Sequence, residues 1–146
     1  MSRIIPMASD HAGFELKEHL KKYLENKGFT IEDFGCNSPD SVDYPDMIHP
    51  IAKKIDAGEY EFGFIMCGSG NGVSMVANKY QNVRCALCWN EEIACLAKQH
   101  NNANIVALPA RFISQQEAEN IVDAYLNASF EGGRHQRRVE KIPAVK

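Results

Sequence analysis

Short, continuously apolar runs alternate along the chain with longer stretches in which apolar residues recur every three or four positions. The runs predict five β-strands, at residues 3–8, 30–34, 62–67, 84–88 and 105–108. The run at 62–67 is apolar almost throughout, as expected for a parallel strand that is covered on both faces. The pattern therefore predicts a parallel sheet whose strands are connected by helices.

The stretches between the runs carry helix signals. Apolar residues at helical spacing over 14–24 predict a first helix, which Gly28 is suited to end. The second helix, which runs to residue 57, contains Pro50, so it either starts there or kinks there. Asn90 can cap a helix that runs to about residue 100, and residues 114–117 form a capping box. Two further helices are predicted, one up to about residue 79 and a short one after Gly133.

Together these elements predict a single-domain α/β protein. We expect a Rossmann-like, doubly wound, five-stranded parallel sheet with flanking helices and a C-terminal helical tail. No linker, repeat or low-complexity tract divides the sequence, so one domain is expected over residues 1–146. Ligands of such sheets bind at the carboxyl ends of the strands. The loops that follow the strands are therefore the first place to look for chemistry.

The composition narrows the class of function. A net charge of −3 over 146 residues argues against a general nucleic-acid binder. No apolar run reaches the roughly 18 residues typical of a membrane span, and no signal peptide is predicted at the start. Five cysteines cannot all pair as disulfides. We therefore expect a cytoplasmic protein with reduced thiols, without nucleic-acid or membrane partners.

A glycine-rich segment lies between the most apolar strand and a helix: Cys67-Gly68-Ser69-Gly70-Asn71-Gly72. Its glycines allow backbone amides to approach an anion, and the helix N-terminus adds positive electrostatic potential. The same field favours the thiolate form of the cysteine. The segment therefore predicts a base or nucleophile beside a cradle for negative charge, with a buried structural cysteine before a tight turn as the alternative.

Several familiar motifs are excluded by position. Val73 stands where a dinucleotide fingerprint needs its last glycine and where a cysteine phosphatase loop needs an arginine. The Gly-Lys-Ser/Thr of a P-loop is absent, and Gly70 stands where a redox Cys-x-x-Cys motif needs its second cysteine. Cys85 and Cys88 have that spacing, but two residues that are three positions apart in a strand place their side chains on opposite faces of the sheet. We therefore expect no metal site and no cofactor, and interpret four cysteines as small apolar residues: Cys36, Cys85, Cys88 and Cys95.

Polar residues also follow other strands. Asp10 and His11 come after the first strand and Arg111 comes after the fifth, so all three are expected at the same sheet edge as Cys67. An isolated Asp-His pair also serves as a turn or a helix cap. His100 ends the fourth helix, a position where histidine commonly interacts with the helix dipole.

The tail concentrates cations in an otherwise acidic chain. Arg134 and Arg138 are four residues apart, hence on one helical face, where two guanidiniums suit the capture of a phosphate. A solvated basic tail is the alternative. A thiolate, an anion cradle, a histidine and several arginines together predict metal-free chemistry on a small phosphorylated substrate through an anionic intermediate.

Six motifs, in order along residues 3–140, resemble those of the type B ribose-5-phosphate isomerases of the ribose/galactose isomerase family. They are Ser9-Asp10-His11-Ala12-Gly13-Phe14, Asp43-Tyr44-Pro45, the glycine-rich segment, Ala77-Asn78-Lys79, Gln99-His100-Asn101-Asn102-Ala103-Asn104 and Gly132-Gly133-Arg134-His135-Gln136-Arg137-Arg138-Val139. The resemblance implies reversible interconversion of ribose 5-phosphate and ribulose 5-phosphate, without a metal, in the non-oxidative pentose phosphate pathway.

The resemblance also implies roles, position by position. Cys67 is the base that moves a proton between C2 and C1; relatives without this cysteine use a glutamate soon after the loop, where this chain has Val73. Ser69, where many members have threonine, aids proton exchange between substrate oxygens. His100 opens the sugar ring, which needs a group that titrates near neutral pH. The loop amides form the oxyanion hole for the enediolate: Gly68, Gly70, Asn71 and Gly72.

Substrate binding and assembly follow from the same resemblance. The implied sugar contacts are Asp10, His11, Tyr44 and Asn101. The implied phosphate clamp is Arg111, Arg134 and Arg138, with His11 or His135 nearby. Family sites lie across the interface of a homodimer or a dimer of dimers, with His100, Asn101 and Arg111 from the partner subunit. Two other functions stay open: isomerisation of a six-carbon aldose phosphate (allose or galactose 6-phosphate), and non-catalytic binding of a sugar phosphate.

Overall fold

Five parallel strands form one sheet in the computed structural model, which describes residues 3–144. The strands are β1 (Ile4–Ser9), β2 (Thr30–Asp33), β3 (Gly63–Cys67), β4 (Cys85–Leu87) and β5 (Ile105–Pro109). Their order across the sheet is β2-β1-β3-β5-β4. The five predicted strands are confirmed; β4 is shorter than expected, ending before Cys88.

Within residues 3–144, six α-helices connect or follow the strands. They are α1 (Phe14–Asn26), α2 (Tyr44–Asp56), α3 (Asn71–Ala77), α4 (Glu91–Asn101), α5 (Gln115–Asn127) and α6 (Arg134–Val139). Asn90 caps α4 through the Ile93 amide, and the capping box of α5 is present. The second helix does not start at Pro50: it begins at Tyr44 and contains that proline. The third ends at Ala77, about two residues before the predicted position.

Buried residues cover both faces of the sheet. One core contains Met7, Phe64 and Leu108 together with apolar residues of α1, α4 and α5. The other contains Ala8 and Ile65 together with apolar residues of α2 and α3. Strand neighbours thus alternate between the two faces, and the predicted doubly wound architecture is confirmed. None of the helices within residues 3–144 has the length and apolar character needed to cross a bilayer.

Cys85 and Cys88 confirm the prediction of opposite faces. Cys85 packs against the core of α2 and α3, and Cys88 belongs to the core of α1, α4 and α5. Burial raises the pKa of each thiol to about 12. All five cysteines are unpaired. The two thiols of the Cys-x-x-Cys spacing therefore act as small apolar side chains rather than as a metal clamp.

The sheet order places a crevice between β1 and β3. The chain leaves β1 into α1 on one face and leaves β3 into α3 on the other face. Adjacent strands whose connections diverge in this way leave an opening at their carboxyl ends, where α/β proteins bind ligands.

Candidate active site

The glycine-rich segment follows β3 at the carboxyl edge of the sheet. Cys67 is the last residue of β3 and pairs in register with Pro109, the last residue of β5. Gly70 has φ of +77°, and a Cβ at this position would overlap Leu87 Cδ1. Because only glycine adopts this backbone without strain and leaves room for Leu87, the loop turns tightly into α3.

The Cys67 sulfur is buried but not surrounded by apolar atoms alone. The residue is 6% exposed, and its Sγ accepts a hydrogen bond from the Gly70 N–H at 3.1 Å. Across the loop, the Arg111 guanidinium lies so close to Gly68 that a Cβ there would be 3.1 Å from Nη1. An amide donor and an arginine thus lie at the loop that carries the sulfur. The local structure therefore supports the sequence interpretation of this cysteine as a reactive group.

Ser69 lies in the same loop, next to the cysteine. Its Oγ accepts a hydrogen bond from the Asn71 N–H at 3.2 Å, and the residue is half-buried. Since the oxygen accepts, the hydroxyl hydrogen is directed elsewhere and can be donated to a ligand.

Asp10 and His11 reach the same edge from β1. Asp10 is 8% exposed, and its Oδ1 accepts from the Gly13 N–H at 3.1 Å. His11 Nδ1 accepts from the Val42 N–H at 3.1 Å. In the neutral ring the other nitrogen, Nε2, then carries the proton and is a donor.

Tyr44 completes this part of the site. It is the first residue of α2, and its ring lies against Gly72, where a Cβ would be 2.6 Å from Cε1. We define the carboxyl-edge group by the residues that the structure brings together here: Asp10, His11, Tyr44, the loop from Cys67 to Gly72, and Arg111. Arg111 belongs to this group because its N–H donates to Gly68 O at 3.0 Å in the same chain. The resemblance, by contrast, implies a partner subunit's arginine.

His100 and Asn101 lie at the opposite edge of the sheet. Both belong to the last turn of α4, which runs back from the carboxyl end of β4 toward the start of β5. The next residue, Asn102, accepts from Arg84 Nε at 2.9 Å, and Arg84 directly precedes β4. The five residues of β5 rise about 13 Å. His100 is therefore separated from Cys67 by about that height within one chain.

The basic tail lies with His100. Helix α6 packs on α4, and the His135 ring stacks on the His100 ring with 4.3 Å between centroids. Desolvation, followed by the charges of His100 and Arg134, lowers the pKa of His135. Arg134 and Arg138 are both exposed. We define the amino-edge group as His100, Asn101, Arg134 and Arg138.

One residue of this region was missed by the sequence reasoning. Glu131 places its Oε1 3.6 Å from His100 Nε2 and 3.5 Å from His135 Nε2. The contact depends on the loop before α6 folding onto α4, where the Glu131 N–H donates to Gln99 O at 3.0 Å. No local pattern signals the contact between positions 100 and 131.

A groove of about 890 Å3 runs along the free edge of β4. Its wall includes Cys85, Leu96 and Ile142, and it extends to His100 and Asn101. The amino-edge group is therefore next to an open, partly apolar surface.

A family model described as Ribose/Galactose Isomerase matches residues 5–142. The chain belongs to the ribose/galactose isomerase family. The family resemblance read from the six motifs is thus confirmed, and the matched region contains every site residue named above.

Relatives agree over nearly the full length. The probable ribose-5-phosphate isomerase B of Mycoplasma genitalium is 45% identical over 144 residues, covering 97% of this chain and 95% of the relative. The ribose-5-phosphate isomerase B of Escherichia coli is 39% identical over 141 residues, which cover 97% of this chain and 95% of the relative. These family members are similar in sequence from the first strand to the tail.

Solved structures of family members have the same fold. A ribose 5-phosphate isomerase from Thermotoga maritima superposes with a TM-score of 0.94 at 49% identity, covering 97% of this chain and 98% of that chain. The Mycoplasma genitalium isomerase B, solved with bound ribulose-5-phosphate, has a TM-score of 0.91 at 45% identity. The match covers 95% of this chain and 93% of that chain.

Proposed function

We propose that this protein is an aldose–ketose isomerase that interconverts D-ribose 5-phosphate and D-ribulose 5-phosphate, a reaction of the non-oxidative pentose phosphate pathway. Family membership and the ribulose-5-phosphate bound to the Mycoplasma genitalium relative support the substrate. The observation that carries the chemistry is the Cys67 sulfur, held by the Gly70 N–H in a glycine-rich loop beside Arg111.

The proton transfer needs only groups of the carboxyl-edge group. The Cys67 thiolate removes the proton from C2 of the open-chain aldose, giving a thiol and an enediolate. The thiol then returns that proton to C1, which yields the ketose and regenerates the thiolate. Ser69 moves the second proton between O1 and O2 of the substrate. Loop amides stabilise the negative charge that develops on these oxygens.

The phosphate is bound by cations of both groups. Arg134 and Arg138 project from one side of α6 and can donate in parallel to phosphate oxygens. Arg111 and the Nε2–H of His11 supply further donors at the carboxyl edge. Asp10, Tyr44 and Asn101 contact the sugar hydroxyls. This arrangement requires no metal ion and no cofactor.

The proposed site is shared between two copies of the chain. Within one chain the carboxyl-edge and amino-edge groups lie at opposite ends of β5, too far apart to act on one pentose. In the proposed dimer, a second copy covers the groove along β4, and one chain's His100 and Asn101 lie opposite its partner's Cys67. We therefore propose a homodimer, alone or within a dimer of dimers, in which His100 opens the furanose ring. The unpaired thiols support a reducing, cytoplasmic setting.

The proposal is tested by isomerase assays on ribose 5-phosphate, allose 6-phosphate and galactose 6-phosphate, each with and without a chelator. We expect turnover of ribose 5-phosphate that a chelator does not reduce. Preferential turnover of a six-carbon phosphate would transfer the assignment to that substrate. Tight binding without exchange of the C2 hydrogen for solvent deuterium would instead identify a binding module.

Two substitutions separate the chemical steps. Cys67→Ala should abolish turnover of open-chain and cyclic sugar alike, because the C–H proton transfer has lost its base. His100→Asn should mainly slow the use of cyclic ribose 5-phosphate and leave residual activity on an open-chain substrate. Equal loss on both forms would remove His100 from ring opening.

A further inference from the structure

A cluster of titratable side chains lies at the junction of α4 and α6. The His100 and His135 rings stack with 4.3 Å between centroids and 10° between planes. The Glu131 carboxylate lies beside both rings, with Oε1 3.6 Å from His100 Nε2 and 3.5 Å from His135 Nε2. One ligand atom from each of the three side chains falls within 4.8 Å of the other two.

We propose that His100, Glu131 and His135 bind a divalent transition-metal ion of the zinc class, and that the bound ion inhibits the enzyme by occupying His100. The ion plays no part in isomerisation; it competes with it. The binding is independent of the proposed function, whereas the inhibition rests on the proposed role of His100.

The donor set fits zinc. Two imidazole nitrogens and one carboxylate oxygen form a three-ligand set that leaves the fourth tetrahedral position open. With metal–ligand bonds of about 2 Å, ligand atoms around tetrahedral zinc lie about 3.3 Å apart. The Nε2–Oε1 separations of 3.6 and 3.5 Å are close to that value. These two separations fit an ion between the carboxylate and either ring nitrogen, once the rings turn toward it.

The side chains are free to make those movements. Both ring planes must contain the metal ion, so the stacked rings must splay apart. His100 and Glu131 have side chains that are 37% and 50% exposed, and both can rotate, whereas His135 is nearly buried and provides the fixed ligand. The Glu131 backbone is tied to α4 through Gln99 O. Arg134 and Arg138 repel a cation, so we expect reversible binding, weaker than that of a structural zinc site.

The test titrates zinc chloride into the full-length protein in a non-chelating buffer and follows two readouts. Binding is measured by competition with a chromogenic zinc indicator, and activity by the ultraviolet absorbance of ribulose 5-phosphate, without coupling enzymes. Loss of a second-shell residue alone weakens metal sites by about 10–100-fold. We therefore expect Glu131→Gln and His135→Asn each to weaken zinc binding by more than about tenfold, and a chelator to reverse the inhibition of the wild type.

Two controls address other zinc ligands. His19 forms a similar pair with Glu119, at 2.7 Å, so His19→Asn removes a histidine from a two-residue pair and should leave zinc binding unchanged. Cys67→Ala tests whether the ion binds the reactive thiol instead. Circular dichroism and thermal melting verify that each variant is folded, and the conservative Glu131→Gln retains the size of the side chain.

Each result decides part of the proposal. Wild-type zinc affinity in both Glu131→Gln and His135→Asn, or loss of binding in Cys67→Ala, would overturn the site. If Glu131→Gln and His135→Asn weaken zinc binding as expected but bound zinc does not reduce the turnover of the wild type, the inhibitory role would be overturned. A protein without isomerase activity in zinc-free buffer would contradict the proposed function, and the binding readout would still test the site.

Discussion

Heterodimers that combine Cys67→Ala in one chain with His100→Asn in the other test the shared active site directly. Cys67 ends β3 beside Pro109, and His100 lies in the helix that leads back to Ile105, at the start of β5. The strand between these two levels rises about 13 Å. If this separation prevents one chain from acting alone, an intact site must combine halves from two chains.

The expected activity follows from two-fold symmetry. Each such heterodimer contains one site built from two unaltered halves and one site in which both halves are altered. We therefore expect about half of the wild-type kcat per dimer, with an unchanged KM for ribose 5-phosphate. The Cys67→Ala homodimer should be inactive, and the His100→Asn homodimer should be slow on this mostly cyclic substrate.

The assay uses two differently tagged chains, co-expressed and purified by two successive affinity steps. The matched control pairs a wild-type chain with a chain that carries both substitutions. In a shared site this control has no intact active site, although it contains the same set of altered residues. We expect its activity to fall far below that of the first heterodimer.

The opposite pattern would refute the reasoning. If the control retained about half of the wild-type activity while the heterodimer of single variants had none, each site would be contained in one chain. The amino-edge group would then act on the Cys67 loop of its own chain, and the separation of about 13 Å along β5 would not prevent it.

Two further predictions concern stability and phosphate binding. Asp33→Asn should destabilise the protein by about 3 kcal/mol at neutral pH, because buried Lys17 loses its nearest carboxylate. Burial alone raises the pKa of Asp33, but hydrogen bonds from Lys17 and the Gly35 amide outweigh it and hold that pKa below the ordinary 3.8. The wild type should therefore have a higher free energy of unfolding in urea than Asp33→Asn. This difference should have its full value above about pH 4 and should disappear as the pH falls through the lowered pKa of Asp33. Arg138→Ala should raise KM for ribose 5-phosphate about tenfold by removing a charged hydrogen bond, whereas Arg137→Ala, on another side of α6, should not.

Clear outcomes would contradict each of these. If Asp33→Asn cost the same free energy of unfolding in acid as at neutral pH, the carboxylate charge would not be its cause. If KM stayed constant in Arg138→Ala, or rose equally in Arg137→Ala, the phosphate assignment on α6 would be wrong.

Local signals account for most of what could be predicted from the sequence. The strand at 62–67, the Asn90 cap and the capping box at Ser114 each depend on a few neighbouring residues, and all were confirmed. Pro50 left two starts open for α2, because a proline inside a helical stretch marks either an end or a kink. In the structure the helix begins near Pro45, in the first turn, where the missing N–H of proline costs no intrahelical hydrogen bond. The helix then continues through Pro50.

Long-range packing limits what could be predicted of the site. Asp10, His11 and Arg111 were expected beside the Cys67 loop because parallel strands end at one edge, and the structure brings them together. Tyr44 was named only through the family resemblance. The position of His100 follows from the direction of α4, which must return to the start of β5. The Glu131 contact could not be deduced in this way, because it depends on how an irregular loop folds onto α4.

The glycine-rich segment and the outer strand share a steric constraint. Leu87 of β4 occupies the space that a side chain at position 70 would need, so the turn that presents the Cys67 sulfur is shaped partly by the margin of the sheet. Position 70 and the outermost strand of the sheet are therefore sterically linked. In the proposed mechanism, we expect a change of side-chain size at Leu87 to alter the geometry of this turn and with it the rate of turnover.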